Sequence, residues 1–262
     1  MIDIGVNLTS ARFDKDRTAV IERAKLANIN GLLVTGTNVI ESQKALSLCH
    51  EYSPFLACTV GVHPHDADQV DDNFIEQLRL LAKHSHVKAI GECGLDFNRN
   101  FSTPKNQQHV FAQQVVLASE INLPLFLHQR DAFQAWFDIL KPYIDKIPAM
   151  VTHCFTGDLS QLKQCLDVGM YVGITGWLCD ERRGQILRDI VKYIPLERLL
   201  IETDAPYLTP RTIRPKPKSS RNEPSYLPYV VAALAELTPY SASEIMQKTY
   251  ENSQRVFAWE IQ

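Results

Sequence analysis

Residues 87–96 read Val87-Lys-Ala-Ile-Gly-Glu-Cys-Gly-Leu-Asp96. A mainly apolar run leads into two carboxylates without clear alternation, the pattern of a strand covered on both faces, as in parallel sheets. Runs of the same form occupy residues 1–6, 31–36, 55–61, 87–92, 123–128, 149–153, 170–174 and 199–202, and each is followed by a stretch with helical features. Eight such units average about 33 residues each, which predicts an α/β fold, a closed (β/α)8 TIM barrel, as one domain over residues 1–262. An open doubly wound sheet is the alternative. The barrel is preferred because polar residues stand at the carboxyl ends of many runs, and only closure gathers those ends round one mouth.

The helices have local support. After Asp131, the residues Phe133, Trp136, Phe137 and Leu140 follow the stripe of a helix packed on one face, with Asp131 as its N-cap. Ser241-Ala-Ser-Glu244 has capping-box spacing and opens a helix predicted to run to about Phe257.

Composition narrows the function classes. The chain has 262 residues, 45% hydrophobic and 22% charged, enough for one sizeable core, which excludes disulfide scaffolds and disordered tails. The net charge of −3 provides no overall basic field, so any polyanion must be held locally. Cys49, Cys58, Cys93, Cys154, Cys165 and Cys179 are widely spaced, and the first residues lack the pattern of a secretory leader; a reduced cytoplasmic setting is expected. No apolar run reaches the ~18 residues of a membrane span, so no membrane association is expected. A monomer is the default assembly.

The chemistry-bearing residues follow strand order. Gly61-Val-His63-Pro-His65, Gly91-Glu92-Cys-Gly94-Leu-Asp96, His128-Gln-Arg130-Asp131, His153-Cys-Phe and Glu202-Thr-Asp204 end successive runs. Imidazoles and carboxylates converging at strand ends point to a divalent-metal site. The bland alternative, unrelated polar residues at strand termini, suits any single histidine better than the joint pattern. His50, His84, His86 and His109 fall in helices or their flanks and read as ordinary surface groups. Cys93 and Cys154 adjoin Glu92 and His153, and by strand alternation their thiols face away from the mouth. Nucleophile-elbow, dinucleotide-binding and Walker A loops are absent from the sequence.

Residues 206–228 hold six of the 14 prolines, and 211–221 carry Arg211, Arg214, Lys216, Lys218 and Arg221 without an acid. This stiff basic loop follows the last strand, beside the predicted mouth; it is either a solvated loop or a binding element for phosphates. Trp177 and Phe97 can stack on unpaired bases or serve as core and rim packing.

The set G-V-H-P-H at 61–65, G-E-C-G-L-D at 91–96, H-x-R-D at 128–131, T-H-C-F at 152–155, I-E-T-D-A-P at 201–206 and R-N-E-P at 221–224 resembles the TatD family of metal-dependent nucleases, one of the amidohydrolase-type barrels. The likeness covers nearly the whole chain. It implies Glu92, His128 and His153 as metal ligands, with Asp204 close by and counted with them, and points to magnesium; two imidazoles and a carboxylate by themselves favour zinc or manganese. Asp204 is then the candidate general base, Glu202 an assisting carboxylate, and His63 a phosphate contact or proton donor. The implied activity is 3′-5′ exonucleolytic cleavage of single-stranded DNA or RNA, in repair of oxidative damage. One departure stands out: most relatives open with D-x-H-x-H, and Gly5 and Asn7 occupy the positions of the two histidines, which puts a second metal in doubt.

Two other functions fit part of the pattern. A metal-dependent ester or amide hydrolase, such as a D-aminoacyl-tRNA deacylase, keeps barrel and metal, but many such barrels retain H-x-H and a carboxylated lysine where Glu92 stands. A non-catalytic nucleic-acid-binding barrel would explain the missing histidines, but not the presence together of Glu92, His128 and His153.

Overall fold

All eight predicted runs form strands in the computed structural model, which describes residues 1–259; the last three residues of the predicted 1–262 domain lie outside the described residues. The strands are β1 (Ile2–Val6), β2 (Gly31–Val34), β3 (Leu56–Val60), β4 (Val87–Asp96), β5 (Leu125–Arg130), β6 (Met150–Thr152), β7 (Tyr171–Ile174) and β8 (Leu199–Ile201). They pair in sequence order, all parallel. A parallel bridge between Val6 and Ala205 joins the two edges, with Asn7 N–H donating to Ala205 and Asp204 N–H to Gly5. The ring is therefore closed, and the doubly wound alternative is excluded.

Nine α-helices accompany the strands among the described residues: α1 (Arg17–Leu26), α2 (Val39–Glu51), α3 (Phe74–Leu81), α4 (Pro104–Ile121), α5 (Phe133–Leu140), α6 (Leu159–Asp167), α7 (Gln185–Ile190), α8 (Leu227–Leu237) and α9 (Ala242–Phe257). The larger core lies between strands and helices. A second cluster fills the barrel itself: Ile2, Ile4, Leu33, Ala57, Ala89, Phe126, Val151, Tyr171 and Leu200 meet Val256, Phe257 and Trp259. The end of α9 thus plugs the barrel at the amino ends of the strands, leaving the carboxyl ends open. The Ser241–Glu244 capping box is formed as predicted.

Two local expectations need correction. Strand β4 runs to Asp96, four residues past its predicted end. Gly94, at φ 148°, allows this: it pairs with His128, and a Cβ there would collide with the His128 carbonyl. Asp131 does not cap α5. It takes a left-handed φ of 53°, Ala132 is the N-cap without a side-chain bond, and the Asp131 carboxylate accepts from Asn98 instead.

Candidate active site at the barrel mouth

A cavity of about 650 Å³ opens at the carboxyl ends of the strands. Its floor is built around Glu92, delivered by β4 and almost fully buried. One carboxylate oxygen, Oε1, lies 2.8 Å from His153 Nε2, 2.9 Å from His128 Nδ1 and 3.3 Å from His63 Nε2. Three imidazoles from three separate strand ends thus converge on one oxygen. Burial works to raise the Glu92 carboxyl, but the charge of His153, the His63 imidazole beside it and hydrogen bonds from His128 and His153 outweigh it and hold it well below the usual range.

The histidines are themselves oriented. His153 Nδ1 lies 3.3 Å from Glu202 Oε2, so a carboxylate stands at each ring nitrogen. Burial opposes the charged form of His153, but Glu92 and Glu202 raise its pKa well above the ordinary value. His63 Nδ1 accepts the His65 N–H, which leaves Nε2 as its donor; burial pushes this imidazole down to about 4, so it is neutral. His65 in turn sits 2.8 Å from Asp96 Oδ2.

Glu202 is completely buried. Its seat is carved by two glycines, since a Cβ on Gly5 or Gly173 would collide with its carboxylate. Its Oε1 accepts the Cys154 N–H. The place of the first missing histidine is therefore filled by Glu202, and the second position, Asn7, donates to Asp204 Oδ1 at 3.0 Å. Asp204 stands at φ 56°, and burial, only partly opposed by His153, pushes its carboxyl up to about 7. Beneath it, buried Asp3 accepts the Thr203 N–H and hydroxyl, which anchors the segment between the two carboxylates.

This donor set fits a divalent cation. His128 Nε2 is a buried nitrogen with no hydrogen-bond partner, 3.7 Å from Asp96 Oδ2, and such an orphan calls for a ligand role or another explanation. Carboxylate–histidine pairing of the kind seen at Glu202–His153 is how metal-ligating imidazoles are held. Ligand atoms of His63, Glu92 and His128 all lie within 4.8 Å of one another. His63, expected as a phosphate contact or proton donor, is thus as close to Glu92 and His128 as a ligand would be, while His153 reaches the group through Glu92.

The structure brings His63, Glu92, His128, His153, Asp204 and Trp177 into one mouth, with Glu202 buried beneath. Others it places elsewhere. None of Arg211, Arg214, Lys216, Lys218 and Arg221 lines the cavity. Arg221 is tied bidentately to Asp16 at 2.7 and 2.8 Å, to Glu223 at 2.8 Å, and packs over Phe13. These bonds hold the loop on the barrel. Arg214 donates to carbonyls of its own loop, and Arg211 lies 3.8 Å from Asp180. Phe97 packs against the outer core and does not line the mouth. Cys93 belongs to that core as expected, but Cys154 does not face away: β6 ends at Thr152, Cys154 takes φ 45°, and its side chain lines the cavity.

The cations that do line the mouth are Arg99, Arg130 and Arg183, which sequence reasoning missed. The guanidinium of Arg183 lies 4.5 Å and that of Arg130 5.6 Å from the Trp177 ring. Arg183 Nε is held at 2.8 Å by Asp180, itself buried. The available signal was position: Arg130 belongs to H-x-R-D, and Arg183 follows Asp180 by one helical turn. Asp96 was likewise visible as the last residue of G-E-C-G-L-D.

A model of the family described as TatD related DNase matches residues 2–258. The chain belongs to this family. Within it, proteins named 3′-5′ ssDNA/RNA exonuclease TatD are 52% identical in Pectobacterium atrosepticum, over 98% of this chain and 99% of the relative, and 49% identical in Klebsiella pneumoniae, over 100% and 99%. The solved TatD homolog from Escherichia coli superposes with a TM-score of 0.89 at 30% identity, over 98% of each chain. A phosphotriesterase homology protein from the same organism, at 14% identity and TM-score 0.65, over 97% of this chain and 96% of the other, shares the barrel fold. Membership makes the chain a hydrolytic nuclease of TatD type with a His/Glu/His centre suited to a divalent metal. No helix among the described residues is long and apolar enough to cross a membrane.

Proposed function

We propose that this TatD-family chain is a metal-dependent exonuclease that removes nucleotides from the 3′ end of single-stranded DNA and RNA, acting as one catalytic barrel domain. The observation that carries the reading is the convergence of His63, His128 and His153 on Glu92 at the floor of a mouth rimmed by guanidiniums. The names borne by full-length relatives about half identical to it support the substrate and polarity.

Glu92, His128, His153 and Asp204 would hold the cation. When bound, it supplies Lewis-acid charge to the scissile phosphate and a more acidic water. We place magnesium first for the carboxylates, with manganese or zinc suited to the imidazoles.

The chain's own groups do the rest. Asp204, raised to about 7 by burial, is poised to accept the proton of the attacking water, and Asn7 fixes its carboxylate. Glu202 orients His153 through Nδ1. His63, neutral and donating from Nε2, contacts a phosphate oxygen rather than protonating the leaving group. Arg99, Arg130 and Arg183 meet the strand's phosphates, and Trp177 stacks a base, an interaction worth ~1–3 kcal/mol. Exposed Lys216 and Lys218 add charge for longer strands.

The test is direct. With magnesium, the purified protein should shorten a 5′-labelled single strand progressively from its 3′ end, and chelation should stop it. Internal cleavage, or deacylation of aminoacylated transfer RNA without shortening of the oligonucleotide, would overturn the reading. We further place the protein in the cytoplasm as a monomer, in repair of oxidative damage; light scattering in solution and peroxide survival of cells lacking it test these points.

A further inference from the structure

Phe101 is 65% exposed and Tyr207 52%. Solitary exposed apolar residues are ordinary on a protein surface, but these two rings stand at the rim of the mouth. Phe101 lies in the loop after β4, with its ring edge-on to that of His65 at 4.8 Å between centroids and 5.9 Å from the Arg99 guanidinium. Both neighbours line the cavity, and Tyr207 lines it from the loop after β8. In a closed ring of eight strands paired in order, β4 and β8 are diametrically opposed, so the two aromatics occupy opposite rims. Phe101 is not on a slack loop. The Asp96 carboxylate accepts the Asn98 and Arg99 N–H groups, Asn100 donates to the Phe97 carbonyl at 2.7 Å, and buried Ser102 donates to the His65 carbonyl at 2.7 Å. A turn fixed on both flanks thus presents Phe101 to solvent, while Phe97 in the same stretch packs against the outer core. Across the mouth, the Tyr207 N–H donates to the Asp204 carbonyl at 2.9 Å. Trp177 belongs to that side: Gly176 meets the Leu208 carbonyl so closely that a Cβ would collide with it.

We propose that Phe101 and Tyr207 are base-binding residues that each stack one unpaired base of the entering strand, on opposite rims, and so select strands whose bases have no partner. The inference rests on the single-strand nuclease reading and extends it to what the rim recognises. A nucleotide joins a flat π-face to an anion, and each rim offers the matching pair. Phe101 stands beside Arg99, and on the other rim Trp177, close to Tyr207 in the fold, stands beside Arg130 and Arg183. Stacking tolerates any sequence because every base has a π-face. Two bases held on opposed rims must be splayed apart. A base in a duplex turns onto a ring only after unpairing, at a cost in free energy, so a paired end is disfavoured without any contact that reads its sequence.

The experiment is steady-state digestion, in magnesium, of a 5′-labelled single strand and of a series in which one nucleotide at a time, counted from the 3′ end, is abasic. Phe101→Ala and Tyr207→Ala should each raise KM by about 5- to 100-fold, the range for loss of one stacked base. Phe101→Tyr and Tyr207→Phe, which keep the ring, should rescue it. At one abasic position the wild type should lose the same factor while Phe101→Ala loses nothing more, and Tyr207→Ala should show this at a different position. A wild-type KM in either alanine variant, or penalties that multiply at every abasic position, would overturn the proposal and leave the nuclease reading intact. A wild-type protein that leaves every strand whole would overturn both.

Discussion

The carboxylate of Glu202 occupies the space that a side chain on Gly5 would need. The same carboxylate holds His153 Nδ1 and the Cys154 N–H, so one missing side chain on β1 governs the orientation of an imidazole on the far side of the barrel. Gly5→Ala should displace Glu202 and lower activity by about 10- to 100-fold, the range typical for loss of a group that orients a metal ligand. Steady-state kinetics on a labelled single strand check this. A variant with wild-type kcat would mean that Glu202 does not act through His153.

It follows that restoring the histidine pair should not restore a second metal. Gly5→His/Asn7→His places one ring where Glu202 sits and removes the Asn7 hydrogen bond to Asp204. Metal counting by equilibrium dialysis should show no additional ion at the mouth, with reduced activity. A gain of one equivalent with activity intact would contradict the geometry.

Asp204→Asn should lower kcat by about 10²- to 10⁴-fold, the usual contribution of a general base, while a non-cleavable strand still binds. Fluorescence anisotropy with such a strand separates the two effects. Loss of strand binding with little loss of kcat would assign Asp204 to substrate positioning.

The arginines divide into two groups with opposite expected phenotypes. Arg130→Ala or Arg183→Ala should raise KM and flatten the dependence of log affinity on log salt by about 0.7–1. Arg221→Ala should leave that slope unchanged and cost about 1–2 kcal/mol of stability, because it removes the bidentate bond to Asp16 and the bond to Glu223 in a partly exposed network. Hydrogen bonds from Arg221, and then from Arg23, hold the Asp16 carboxyl down to about 2 against the cost of its partial burial. A carboxyl depressed in the folded state stabilises above its unfolded pKa, and that contribution disappears as pH falls from about 4 to 2. Asp16→Asn should therefore flatten the melting curve over that window.

What the sequence disclosed follows from periodicity and position. The eight strands were legible because buried parallel strands are short apolar runs, and the polar residues that end them had to share a mouth once the ring closed. The end of β4 was misread because its extension depends on Gly94 meeting the His128 carbonyl of the next strand. The direction of each arginine was illegible for the same reason: Arg221 meets Asp16 across 205 residues, and Arg183 meets Trp177 through a turn set by Asp180. The seat of Glu202 was hidden because glycine leaves no side chain to read. Alternation placed Cys93 correctly and failed at Cys154, where the strand had already ended.

The proposed chemistry requires side chains from separate strand ends to form one cation pocket. Anomalous diffraction from crystals soaked in manganese tests it most directly. A single strong peak is expected about 2.0–2.3 Å from ligand atoms of Glu92, His128 and His153, lost in Glu92→Ala together with nuclease activity. A mouth without a peak in crystals of active protein, or a Glu92→Ala variant that keeps both metal and rate, would contradict it.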